Sequence, residues 1–172
     1  MSIISRLLGR GPAEREEPAS VRAIAAKLEG LPPERARFVA AFAYVLARIA
    51  HADLHVDDDE IRAMERTIAE RASLPDGEAA LVAEIALAQA EALGATDNYL
   101  VVREFRSLSE RTSRLELMRG VCAVAAADDR ISTAESSEIH KVGEELGFTR
   151  QEVNALRLEW RDQLAELKTP YR

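Results

Sequence analysis

The chain has 172 residues, enough for one domain or two closely packed repeats. Hydrophobic residues make up 47% and aromatics only 5%, so Ala and Leu carry the core, and with 31% charged residues the composition leans all-α. A formal net charge of -7 argues against a sequence-independent grip on nucleic-acid phosphates, which needs clustered Lys and Arg, and favours a cationic partner, a divalent metal or a basic peptide. Cys122 is the one cysteine, which excludes an internal disulfide. The longest apolar stretch, Phe38 to Ala52, is interrupted by Arg48 and is too short to span a bilayer.

Residues 1–17 read as a loosely ordered N-terminal tail, and 18–172 as the helical domain. A first helix is expected from Pro18 to Glu29, with Val21, Ile24 and Leu28 on one face and Gly30 as its stop. Pro32-Pro33 opens a second, whose Phe38, Phe42, Val45 and Ile49 recur at helical spacing and face the core. It ends near Asp53. Asp57-x-x-Glu60 is a capping box, in which the Asp accepts from the third residue's amide and the Glu reaches back. The helix it opens has Ile61, Met64 and Ile68 as its inner stripe.

Ser73-Leu-Pro-Asp76 is expected to cap a fourth helix that reaches Leu93 and stops at Gly94. Thr96-Asp-Asn then opens a fifth, with Leu100, Val101, Phe105 and Leu108 inside. Ser113-x-x-Glu116 reads as the cap of a sixth helix, carrying Leu117, Val121, Val124 and Ala125. Ser132-x-x-Glu135 caps a seventh, with Ile139, Val142 and Leu146 inside. Gly147 ends it, and Thr149-x-x-Glu152 opens the last, lined by Val153, Leu156, Trp160, Leu164 and Leu167. Cys122, among Val121, Ala123 and Val124, reads as a small buried hydrophobe.

One phrase occurs twice. Ala50-His-Ala52-Asp53-Leu54-His-Val56-Asp-Asp-Asp-Glu60 recurs as Ala125-Ala-Ala127-Asp128-Asp129-Arg-Ile131-Ser-Thr-Ala-Glu135. Both copies follow an apolar helix and precede a capping-box helix. The expected fold is therefore an all-α, single-domain bundle of about seven to eight helices, built from two related three-helix repeats at about 33–93 and 113–168.

The residues Ala50, Ala52, Asp53, Val56 and Glu60, their counterparts Ala125, Ala127, Asp128, Ile131 and Glu135, and the closing stretch Leu146-Gly-Phe-Thr-Arg-Gln-Glu-Val153 resemble the TerB-like family. That family is named for tellurite-resistance proteins, and related domains accompany membrane-anchored DnaJ-type co-chaperones. The resemblance covers about residues 33–168. It implies a compact, non-catalytic helical domain of chemical-stress response that works with protein partners near the membrane and is linked to metal. The family's Gly after the Asp is missing in both copies, replaced by Leu54 and Asp129. Glycine there would supply a positive φ without steric cost; Asp tolerates that conformation moderately and Leu poorly. The first loop is therefore expected to have a different backbone shape, which makes the Asp128 copy the better site.

Asp53, Glu60, Asp128 and Glu135 are the candidate metal ligands, since hard divalent cations need several carboxylate oxygens. Asp57, Asp58 and Asp59 add negative charge, and His51 and His55 could supply nitrogen to a softer ion. The spacing fits neither an EF-hand nor a His-Glu-x-x-His zinc site. The same four acids are equally explained as capping-box and turn residues. No nucleophile elbow, phosphate loop or dinucleotide fingerprint is present, so no catalytic or cofactor residues are assigned. The expected function is a cytoplasmic binding or scaffolding domain of tellurite-type stress response, peripheral to the membrane, acting through protein partners and compatible with a homo-oligomer. The alternative is a divalent-metal sensor or buffer using the paired acidic loops. A third reading is a hydrolase with a carboxylate-held metal.

Overall fold

The computed structural model describes residues 17–28 and 30–164. The tail up to Glu16, Glu29 and residues 165–172, including Leu167, lie outside them. Seven α-helices follow in order: α1 Ala19–Ala25, α2 Pro33–Ala50, α3 Asp58–Ala72, α4 Asp76–Leu108, α5 Arg111–Ala125, α6 Thr133–Glu145 and α7 Arg150–Arg157. A short 3-10 turn, Leu158–Trp160, comes after α7. The all-α expectation holds for these residues.

Helix α2 is the spine. From Val39 to Ala50 every side chain is buried, because α1, α3, α4, α5 and α6 pack around it. Its many alanines let those neighbours approach closely, while Phe42 and Phe38 pack at a tilt against Phe105 of α4, at 6.1 and 5.0 Å between ring centres. A helix surrounded in this way is apolar on all sides rather than along one stripe. That explains why the stretch from Phe38 to Ala52 is apolar on every side but for Arg48 and His51.

Four expected boundaries differ. The fourth and fifth predicted helices are one 33-residue helix, and the backbone runs through Gly94 without a break. A helical glycine costs only about 1 kcal/mol, and α4 recovers that by packing along α2, α1 and α3. The polar pair that looked like a cap serves distant partners instead. Asp97 accepts hydrogen bonds from the Ser20 amide at 3.1 Å and from the Ser20 hydroxyl, so it fastens α1. Asn98 Oδ1 accepts from the buried Tyr44 hydroxyl at 3.0 Å. With α4 continuous, the break expected between the first three-helix unit and its connector is absent.

Ser73 does not open α4. It closes α3 in the left-handed conformation (φ 52°), and Pro75 stands at the start of α4. Ser113 and Glu116 lie inside α5, which begins at Arg111 without a side-chain cap. Glu116 forms ion pairs with Arg71 of α3 and Arg119 rather than reaching back to a cap. The last helix is short: α7 stops at Arg157, and the chain then turns back toward the second acidic loop. There Ile131 N donates to Gln163 O at 2.8 Å, and Ile131 and Leu164 form an isolated parallel bridge. Ile131 and Leu164 are both buried by this contact, and Trp160 packs against the core half-buried.

Cys122 is fully buried in α5, and burial pushes its thiol up to about 12. Among the described residues no helix is long and apolar enough to cross a membrane.

Candidate functional site: two acidic junctions that meet

The doubled phrase forms two junctions of one shape, α2 to α3 and α5 to α6. In the first, α2 ends at Ala50, and His51 and Ala52 continue it with hydrogen bonds to Ala47 O and Ile49 O. Leu54 N then donates to His51 O at 3.1 Å and the chain reverses with Leu54 at φ 65°. In the second, Ala126 and Ala127 extend α5 in the same way, Asp129 N donates to Ala126 O at 3.1 Å, and Asp129 sits at φ 64°. The expectation of a different backbone in the first loop is therefore corrected: both take the left-handed turn.

The cause is the hydrogen bonding on either side of the turn. Asp53 Oδ1 accepts from His55 N, and Asp128 Oδ1 accepts from Arg130 N, each at 3.0 Å. These Asp side chains hold the turn by bonding two residues onward. Immediately after, the capping boxes fix the next helix. Asp57 Oδ1 accepts from Glu60 N at 3.0 Å and Glu60 Oε2 accepts from Asp57 N at 3.0 Å. Ser132 Oγ accepts from Glu135 N at 3.1 Å and Glu135 Oε2 from Ser132 N at 2.6 Å. A left-handed non-glycine residue costs about 1–2 kcal/mol, and this scaffold holds Leu54 there despite that cost.

The side chains at the turn have different fates. Asp129 is a residue type that tolerates the left-handed region. Leu54 is not, and its side chain is 93% exposed, the most exposed of the large hydrophobics among the described residues. It stands beside Asp53, with the acidic start of α3, Asp57 to Asp59, following in the chain. It also rims a cavity of about 340 Å³ shared with His51, Ala52, Ala90, Glu91 and Glu138.

The two capping glutamates come together. Glu60 is 5% exposed and Glu135 3%, and their carboxyl groups hydrogen-bond to each other. Two carboxylates in contact cannot both stay charged away from water, so the pair holds a proton. Burial pushes Glu60 up to about 8, and the negative charges of Glu135 and Asp57 add to the rise. Glu135 is raised as well, by burial first and then by Asp53. The sequence places each glutamate in its own capping box; that the two boxes face one another is a tertiary fact that no local spacing reveals.

Of the four candidate ligands, Glu60 and Glu135 thus meet directly, with Asp53 near enough to Glu135 to raise its pKa. Asp128 is occupied with its own loop amide. Among the described residues no three His, Cys, Asp or Glu side chains are arranged to hold a metal ion. One oxygen of each glutamate is committed to a loop amide, and the other side of the pair faces the shared proton. His51 donates from Nε2 to Leu87 O at 3.1 Å, and His55 lies exposed on the loop.

A residue missed as functional is Arg48, which looked like an interruption of an apolar stretch. Its guanidinium is buried and clamps three helices. Nε donates to Glu138 Oε1 at 2.6 Å and Nη1 to Glu145 Oε2 at 2.8 Å, both on α6, and Nη1 reaches Asn98 O of α4 at 3.5 Å. Burial alone would raise Glu138; the charge and hydrogen bond of Arg48, with Lys141, overcome it and hold Glu138 below the usual carboxylate range. An arginine amid buried alanines is itself a signal of an internal ion pair, since buried charges are kept only when paired.

An all-helical bundle organised on two acidic loop-and-capping-box junctions is a specific class of domain. The family model described as tellurite resistance protein TerB matches residues 38–158. The chain belongs to the TerB family. No curated protein and no solved structure matches it.

Proposed function

We propose that this chain is a non-catalytic interaction domain of tellurite-type chemical-stress response, working in the cytoplasm through a protein partner that docks on the α2–α3 loop. The observation that carries this reading is Leu54: a large apolar side chain, 93% exposed, in a backbone conformation that leucine disfavours. A fold that holds such a residue outward at a cost in stability fits a docking anchor better than a core-building one. Carboxylates before and after Leu54 in the chain favour a partner whose surface is basic around an apolar pocket. The family match supports the stress-response setting. The buried thiol of Cys122 and the mutually satisfied Glu60 and Glu135 fit structural roles.

The test is capture from the native host with immobilised full chain, comparing wild type with Leu54→Gly. Leu54→Gly keeps the turn and removes the anchor. Proteins retained by wild type and lost by the variant support the reading; the same proteins held equally by both would overturn it.

The alternative, a divalent-metal sensor, draws on one observation, the meeting of Glu60 and Glu135. In that reading a cation would have to displace the proton the pair shares.

A further inference from the structure

Five large hydrophobic side chains are exposed among the described residues, and four of them, Leu54, Leu81, Leu93 and Tyr99, lie on the α2–α3 loop and on α4. The same two stretches lack cations. Residues 49–61 and 76–102 contain no Lys or Arg, against ten Asp and Glu. Exposed apolar surface edged by one sign of charge marks an interaction site and sets the charge of its partner.

Helix α4 sets these groups in register. Leu81, Ala88, Ala92 and Tyr99 are all exposed and stand at i, i+7, i+11 and i+18. They therefore share one line along the helix, about 27 Å long at 1.5 Å per residue. That is the seam spacing with which one helix receives another. Other sides of α4 pack on α2, α1 and α3. Glu84 and Glu91 are exposed beside the seam, and neither pairs with a cation of a described residue. Glu91 also rims the cavity beside Leu54, so the acidic edge faces the loop that carries this leucine. At the far end Arg103 lies over the Tyr99 ring, 5.9 Å from its centre, and closes the seam.

The charge decides what fits. A second copy of the chain laid along the seam brings the same acids and, between 76 and 102, no cation. An anionic lipid surface is repelled by them. A helix with apolar a and d positions flanked by Lys or Arg satisfies both the seam and its acids.

We propose that the outer face of α4, from Leu81 to Tyr99, docks a basic amphipathic helix of a partner protein. This names the element of the partner that meets the Leu54 loop, and it rests on the docking reading above for the existence of a protein partner.

The experiment measures binding of a labelled synthetic helix to the full chain at low ionic strength. The probe has three heptads with Leu at a and d and Lys at the flanking positions; its twin carries Glu in place of Lys. Saturable binding of the Lys helix is expected, with none of the Glu twin. Ala88→Lys with Ala92→Lys should weaken it by roughly tenfold or more; both alanines are exposed and Lys is a good helix former. Glu70→Lys with Glu144→Lys, the same charge added on the exposed faces of α3 and α6, should weaken it clearly less. Amide shifts in the wild-type protein on adding the Lys helix should fall on 81–99, which keeps the test independent of how the variants fold. No saturable binding, equal binding of the twin, an equal loss in the two double variants, or shifts that avoid 81–99 would each overturn the proposal. So would a dimer of the chain alone that Ala88→Lys with Ala92→Lys dissociates. Host proteins lost on Leu54→Gly without any binding of the Lys helix would sink this proposal and spare the docking reading. Binding of the Lys helix as expected, with capture indifferent to Leu54→Gly, would support the α4 face and sink the Leu54 anchor.

Discussion

Glu60 and Glu135 hydrogen-bond to each other through their carboxyl groups, each from the capping box of a different acidic loop. The doubled phrase therefore builds one structure rather than two. Each loop caps its own helix, and the buried proton between the glutamates joins the loops.

Stability should fall as pH rises through this pair. Burial lifts Glu60 from an ordinary 4.5 to about 8, so between those values the folded protein holds a proton that the unfolded chain releases. The slope is at most about 1.4 kcal/mol per pH unit for one proton. Glu138 and Glu152 act oppositely. Arg48 overcomes burial at the first, and the Thr149 backbone holds down the second; what they contribute is lost as pH falls through the acid range, below this window. Glu60→Gln keeps a capping oxygen and supplies a permanent donor to Glu135, so it should flatten the decline. Urea unfolding of both proteins from about pH 5 to about pH 8 checks it.

Leu54→Gly should stabilise the fold. The substitution removes left-handed strain of about 1–2 kcal/mol, offset in part by glycine's greater freedom in the unfolded chain, for a net gain of roughly 0.5–1 kcal/mol. Asp129→Gly should gain less, because Asp already tolerates the conformation. Thermal and chemical unfolding of the two variants side by side measures the difference. A loss of stability in Leu54→Gly would show that the exposed side chain supports the fold.

Arg48→Met should destabilise by about 3 kcal/mol, since it leaves Glu138 and Glu145 against a buried site without their counter-charge. Adding Glu138→Gln and Glu145→Gln should restore part of that loss. Denaturant midpoints for the single and triple variants give the comparison. A single variant as stable as wild type would mean the clamp contributes little.

Calcium, magnesium, manganese and zinc should each leave the Tm unchanged at about pH 6, where the pair holds its proton, and also at about pH 8.5. A shift that appears only at the higher pH and vanishes in Glu60→Gln would favour the metal-sensor reading instead.

The features legible in the sequence are those whose partners lie within a few residues. Asp57 with Glu60, Ser132 with Glu135 and Thr149 with Glu152 form three of the four expected x-x-Glu caps because each is closed by backbone amides three positions away. The features misread are those where a distant partner claimed the same residue type. Asp97 and Asn98 have the look of a helix start, but Ser20 and Tyr44 use their oxygens, and α4 continues past them. Glu116 sits three positions after Ser113 yet pairs with Arg71 across to α3. Leu54 was expected to distort its loop, but the Asp53 turn and the Asp57 cap impose the left-handed conformation on whichever residue stands there. The candidate site follows the same division. Each carboxylate's local role could be read from spacing, whereas the Glu60–Glu135 contact and the Arg48 clamp depend on how α2, α3 and α6 pack.

The most direct test of the shared proton is side-chain carboxyl carbon NMR across a pH titration of the full chain. Glu60 should titrate near pH 8, and Glu135→Gln should move that transition while the other surface carboxyls keep theirs. A Glu60 carboxyl that titrates near 4.5, the ordinary value, and ignores Glu135→Gln would contradict the account.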